Sequence, residues 1–272
     1  MTYATVMAAF DLDLPMNGVL AATRSLGKTF NAAAIGVAAG QSSISPYFIE
    51  GPIAENFVAQ VRQELLAKLG SIESRFRDAV SADLHAVEWR SAERLPHPFI
   101  VASACAADLL VVGRALTPGN LMRGPDLPNL LMQAGRPVLV VPAEADTFAA
   151  ERILIAWKDT REARRAVSDA LPLLRRAAEV QILTIEEMGS SPERASASDV
   201  VKWLARHQVT ADVASRAGDG DISRSIEAGI AAFRPEIVVA GAFGHSRLRE
   251  WILGGVTRDL LASPTMSILF SH

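Results

Sequence analysis

The segment EIVVAGAFGHSRLREWILGGVT (236–257) places an apolar run, a glycine turn and a helix-forming stretch directly one after another. Residues 237–240 are uninterruptedly apolar and few, the pattern of a strand buried on both faces of a parallel sheet. Gly241 and Gly244 bracket a tight turn, and 247–262 is expected to form a helix. A strand that passes through glycine into a helix start leaves backbone N–H groups unpaired at the C-terminal edge of the sheet. Those N–H groups and the helix dipole favour an anion, and glycine permits its close approach. Gly254 and Gly255 recur inside the expected helix. Glycine costs about 1 kcal/mol there relative to alanine, so the pair marks close approach of something, a ligand or a packed helix.

Working outward, the same strand is written twice. DLLVVGR (108–114) answers EIVVAGA (236–242), and ATVMAAFD (4–11) answers RILIAWKD (152–159). Each series closes on a Pro-led strand, RPVLVVPAE (136–144) and SPTMSILFSH (263–272), whose prolines Pro137 and Pro264 lie 127 positions apart. The chain therefore reads as two copies of one domain, 1–142 and 151–272, with PAEADTFAAE (142–151) as the linker.

The second copy is the easier to divide. Strand signals fall at 153–157, 180–185, 211–215, 237–240 and 266–270. Thr160 precedes a helix running to about Ala178, with Ala163, Ala166, Val167 and Ala170 on one face. Arg164, Arg165, Arg175 and Arg176 then point to solvent. Further helices are expected at 192–206 and 221–233, the latter stopped by Pro235. Strands alternating with helices imply right-handed crossovers and a parallel sheet covered on both faces. The expected fold class is α/β, two tandem Rossmann-like domains, each a five-stranded parallel sheet with helices on both faces. The first copy adds a Ser/Pro loop (42–52) and a longer helix (53–80) in which Gly70 suggests a break.

Composition narrows the function. Half the residues are apolar and the net charge is −3. From Glu151 onward, basic and acidic residues are equal in number, and no basic stripe favours nucleic acid. The single cysteine, Cys105, excludes an internal disulfide and reads as a small buried residue before a strand. MTYATVMAAFDLD has neither the basic start nor the cleavage site of a signal peptide, and no stretch has the length of a membrane span. A cytosolic protein without membrane contact is expected. His245 and Ser246 could suggest hydrolysis, but no G-x-S-x-G elbow or partner acid accompanies them. The other histidines match no zinc spacing. Trp157 and Trp251 read as core residues.

Gly241-x2-Gly244-x9-Gly254-Gly255, followed by Val256-Thr257 and the closing SPTMSILFSH, resembles the G-x2-G-x9-G-[S/T] signature of nucleotide-binding universal stress proteins. Together with the doubled αβ pattern, the chain resembles a tandem member of that family over nearly its whole length. The resemblance implies ATP, with magnesium, in the second copy. Gly244, His245, Ser246 and Gly255 would hold phosphates through backbone N–H groups, with Gly241 and Gly254 completing the motif. The base would lie near Lys158, Asp159 and Ile185 at the end of the 180–185 strand. Two positions depart from the family pattern: Lys158 stands where an Asp is usual, and Gly255 where Ser or Thr is. A cation cannot accept the hydrogen bond that a carboxylate takes, although it could reach a phosphate, or Asp159 could act from one residue further on. The first copy keeps Asp11 but lacks the glycine spacing, since Gly119 and Gly124 stand among Pro118, Pro125 and Pro128. It is expected to bind no nucleotide, with Asp11 a turn or cap residue. The resemblance further implies an intramolecular pseudo-dimer through 138–141 and 266–270, and leaves open a homodimer of the whole chain. It also implies an unidentified protein partner and a role in binding rather than robust catalysis. A structural module of the same fold with no nucleotide is the alternative.

Overall fold

The computed structural model describes residues 2–42, 52–114, 120–186, 192–218, 222–242 and 266–272. The chain divides into two compact units, one built on Tyr3–Ala134 and Ala143–Thr147, the other on Gly135–Pro142 and Phe148–His272.

The first unit runs β1 (Thr5–Phe10), α1 (Asn17–Phe30), β2 (Ala33–Gly40), α2 (Pro52–Val80), β3 (Val87–Glu93), α3 (Pro96–Ser103), β4 (Leu109–Arg114) and α4 (Leu127–Gln133). Its strands lie in the order β3-β2-β1-β4, all parallel. β1 and β2 are almost wholly buried, as their continuous apolar runs require. One side of the core is aromatic: Phe10, Phe76 and Trp89 pack with ring centroids 5.7–6.0 Å apart. Gly36 lies beneath them, where a Cβ would come within 2.4 Å of the Trp89 ring. The break suggested at Gly70 is absent, because α2 continues from Pro52 to Val80. Leu65, Leu69, Ile72, Phe76 and Val80 bury one continuous stripe. That packing outweighs a single exposed glycine.

The second unit contains β5 (Val138–Pro142), β6 (Arg152–Trp157), α5 (Arg161–Asp169), α6 (Leu171–Leu174), β7 (Glu179–Glu186), α7 (Pro192–Arg206), β8 (Asp212–Ala217), α8 (Ile222–Phe233), β9 (Ile237–Gly241) and β10 (Ser267–Ser271). The five strands β10-β9-β6-β7-β8 form the expected parallel sheet. β5 joins it on the far side of β10, antiparallel, with Val138 opposite Phe270 and Val140 opposite Ile268. The pairing expected of the two closing strands is therefore present, and both are buried.

Two further expectations are corrected. The single helix from Thr160 to Ala178 is two, α5 and α6, because Pro172 has no N–H with which to continue the ladder. Cys105 is exposed rather than buried. It sits in a 3-10 turn (Ala104–Ala106) ahead of β4, where Ala104 takes the inner position. Trp157 is a core residue as expected, 6% exposed, its indole N–H donating to Ser196 Oγ on α7 at 3.0 Å. The four arginines of the α5–α6 region are exposed. The helix expected at 247–262, with Trp251, lies outside the described residues.

Candidate functional site

In a parallel sheet the natural ligand position is the crevice where strand order reverses, at the C-terminal ends of the strands. In the second unit the reversal falls between β6 and β9, since β7 and β8 extend to one side and β10 to the other. The register pairs Ala156 with Ala240, so the chain leaves the sheet at Trp157 and Gly241 side by side. Lys158 and Asp159 follow Trp157 directly. Ile185 stands one step past the Trp157–Thr184 pair on neighbouring β7 and is half-buried. The structure thus brings Lys158, Asp159, Ile185 and Gly241 to one edge of the sheet. Gly244, His245, Ser246, Gly254 and Gly255 lie outside the described residues.

The connection from β6 to α5 is only three residues, 158–160, and this determines the local chemistry. It draws the first turn of α5 onto β9, so that a Cβ at Gly241 would lie 2.5 Å from the Ala163 nitrogen and 2.7 Å from the Glu162 carbonyl carbon. Gly241 is therefore required for helix-to-strand approach, independently of any ligand. Thr160 caps the helix by accepting from the Ala163 N–H at 3.2 Å. Glu162 is 7% exposed and pairs with Arg161 at 2.8 Å. Burial opposes its charge, but its own N–H, Arg161 and the Thr160 hydroxyl outweigh that and hold the carboxyl below its usual range. The N-terminus of α5 is thus already served by a hydroxyl and a carboxylate.

Lys158 is exposed, and its carbonyl accepts from the Thr160 N–H at 2.7 Å. Asp159 turns toward the helix, where Oδ1 accepts from Arg164 Nη2 at 2.6 Å and from Nε at 2.8 Å. A ligand that used Asp159 would therefore compete with Arg164.

In the first unit the reversal falls between β1 and β4. There Ala9 pairs with Val112, which makes Phe10, Asp11 and Gly113 the counterparts of Trp157, Lys158 and Gly241. The connection to α1 is six residues, 11–16, and Gly113 is not crowded, its nearest neighbours to a Cβ being 3.6 Å away. Arg114 ends β4 at 4% exposure, and burial pushes its guanidinium down to about 10. Asp11 does act in a turn, its Oδ1 accepting from the Asp13 N–H at 2.8 Å. Sequence reasoning missed Glu162 and the contacts of residues 120–124. Thr160-x-Glu162 was the available signal for the first, and the second has none of short range.

No family model and no curated protein matches the sequence. Solved structures do match across the whole chain. A universal stress protein from Archaeoglobus fulgidus DSM 4304 superposes with a TM-score of 0.68 at 14% identity, over 99% of this chain and 96% of that one. The fold is that of the universal stress proteins. A functionally unknown protein from Pseudomonas aeruginosa PAO1 superposes at TM-score 0.57 and 13% identity, over 99% and 92% of the two chains. The cytoplasmic domain of a prokaryotic cation chloride cotransporter gives 0.52 at 12% identity, over 99% and 95%. Proteins of such different kinds share this likeness, so function must be argued from the site. Among the described residues no group of His, Cys, Asp or Glu could hold a metal ion, and no helix is long and apolar enough to cross a membrane.

Proposed function

We propose that the chain is a cytosolic stress-response protein that binds one adenine nucleotide, ATP with magnesium, in its second unit. It would work by ligand-dependent partner choice rather than turnover. The observation that carries this reading is the convergence of Lys158, Asp159 and Gly241 at the β6–β9 reversal, with the glycine-rich 241–255 segment leaving the sheet from that point. Phosphates would rest on backbone N–H groups of Gly244, His245, Ser246 and Gly255, with Gly254 allowing their approach. The base would lie toward Lys158, Asp159 and Ile185. Because Thr160 and Glu162 already serve the start of α5, the glycine loop is the better anion site. Among the described residues at this edge, no nucleophile, base and orienting acid are gathered, and the reading therefore takes binding over catalysis.

Calorimetry with ATP tests the site through Lys158, which stands where a carboxylate would accept hydrogen bonds. Lys158→Asp is expected to tighten ATP binding by about 1–3 kcal/mol, the worth of a charged hydrogen bond. Strong binding by the wild type that is lost in Lys158→Asp would instead make Lys158 a phosphate ligand. Absence of binding by both proteins at millimolar ATP would favour a structural module of the same fold.

A further inference from the structure

In the first unit the ends of β1 and β2 are covered from within the chain. Residues 120–124 form a turn in which the N–H groups of Arg123 and Gly124 donate to the Asn120 carbonyl at 2.8 and 3.0 Å. The Met122 N–H donates to Asn120 Oδ1 at 3.0 Å. The turn then offers its own carbonyls to amides just beyond the ends of β1 and β2. The Leu12 N–H donates to Arg123 O and the Gln41 N–H to Met122 O, each at 2.8 Å. Arg123 Nε reaches both oxygens of Asp13, at 2.7 and 2.9 Å. Gly124 lies on the Asp11 carboxylate so closely that a Cβ would fall 1.7 Å from Oδ2. Burial raises the Asp11 carboxyl against the opposing pull of the Asp13 and Leu14 N–H groups and of Arg123. The covered place is the counterpart of the second unit's Lys158 edge.

We propose that residues 120–124 are a built-in ligand of the first unit, seated over β1 and β2 so that this unit is held closed with no molecule bound. Any ligand response is then confined to the second unit, a corollary that rests on the nucleotide reading above. Two features separate this turn from an ordinary connection. It satisfies amides just beyond the ends of two different strands, and it touches the first residue beyond β1, where the other copy places its candidate ligand contact.

Hydrogen exchange of the Leu12 and Gln41 amides, followed by NMR on the full chain, tests the proposal. Gly124→Ala collides with Asp11 and is expected to speed both amides about tenfold or more while Val6 to Ala9 stay protected. Asp11→Ala combined with Gly124→Ala removes the colliding carboxylate and is expected to restore slow exchange. Should Gly124→Ala not fold, Arg123→Ala is expected to speed the same two amides by releasing Asp13. Unchanged exchange in the single variants, or a double variant no slower than Gly124→Ala, would overturn the proposal. The Asp11 carboxyl gives an independent reading, since unseating the turn should return its titration toward the ordinary range. If it stays raised while the amides open, the turn is not what buries it and the proposal falls. ATP added to the wild type is expected to leave Leu12 and Gln41 unchanged, and slowing of these amides by ATP would overturn the confinement. A wild type that binds no ATP would defeat the nucleotide reading alone, because the variant comparison needs no nucleotide.

Discussion

A Cβ at Gly241 would meet the backbone of α5, at Ala163 and Glu162, whereas one at Gly113 meets only side chains at ordinary contact distance. Backbone atoms of a capped helix cannot yield cheaply. Gly241→Ala is therefore expected to destabilise the protein by about 1–3 kcal/mol in urea unfolding, as overpacking does. Gly113→Ala should stay within about 0.5 kcal/mol. Asp11 sets a second test at this scale. Its carboxyl is raised in the folded state, chiefly by burial, so the native protein holds this proton more tightly than the unfolded chain. The stability that this proton contributes is complete below the ordinary carboxylate value and is lost as pH rises through the raised one. Asp11→Asn should flatten that part of the profile, as urea midpoints measured between about pH 3 and 7 would reveal. Glu162 has the opposite sign. Its lowered value contributes stability at neutral pH that disappears as the solution is acidified through it.

Among the elements, α5 and the β5–β10 pair depend most visibly on single residues. Thr160 caps the first turn of α5 through its hydroxyl, and Thr160→Ala should cost about 1 kcal/mol in urea unfolding. Phe270 is fully buried at the antiparallel junction opposite Val138, and Phe270→Ala should cost about 3–5 kcal/mol. Most elements were legible in the sequence because their periodicity is local: the helix expected at 192–206 spans Pro192–Arg206, and the strand at 180–185 spans Glu179–Glu186. Pro172 announced the split between α5 and α6, but the apolar spacing that continues across it hid the break. Gly70 misled for the opposite reason, since a weak local propensity is overruled by the buried stripe that flanks it. Lys158 and Gly241 were placed together by the resemblance to universal stress proteins, since the alternation of strands and helices gives a parallel sheet but not which strands are neighbours. The seating of residues 120–124 was not legible, because Arg123 meets Asp13 across 110 positions and no local pattern reports such a contact.

At the scale of the whole molecule, duplication has left two copies of one fold with different treatment of the same place. The first copy has Asp11 and covers it with its own chain, while the second carries Lys158 there, exposed, at the edge where Gly241 ends β9. A shorter β6–α5 connection accounts for the crowding at Gly241, and a longer β1–α1 connection supplies the Asp13 that Arg123 grips. Under the proposed function, that asymmetry predicts one nucleotide per chain, not two. Native mass spectrometry of the gently purified full chain, after incubation with millimolar ATP and magnesium, tests this most directly. The expected spectrum shows a mass increment of one adenine nucleotide per chain. Gly244→Val should abolish it if, as proposed, the anion is approached there by a glycine backbone, and Gly119→Val should keep it. A wild type that carries no nucleotide, or one that keeps its nucleotide after Gly244→Val, would contradict the assignment.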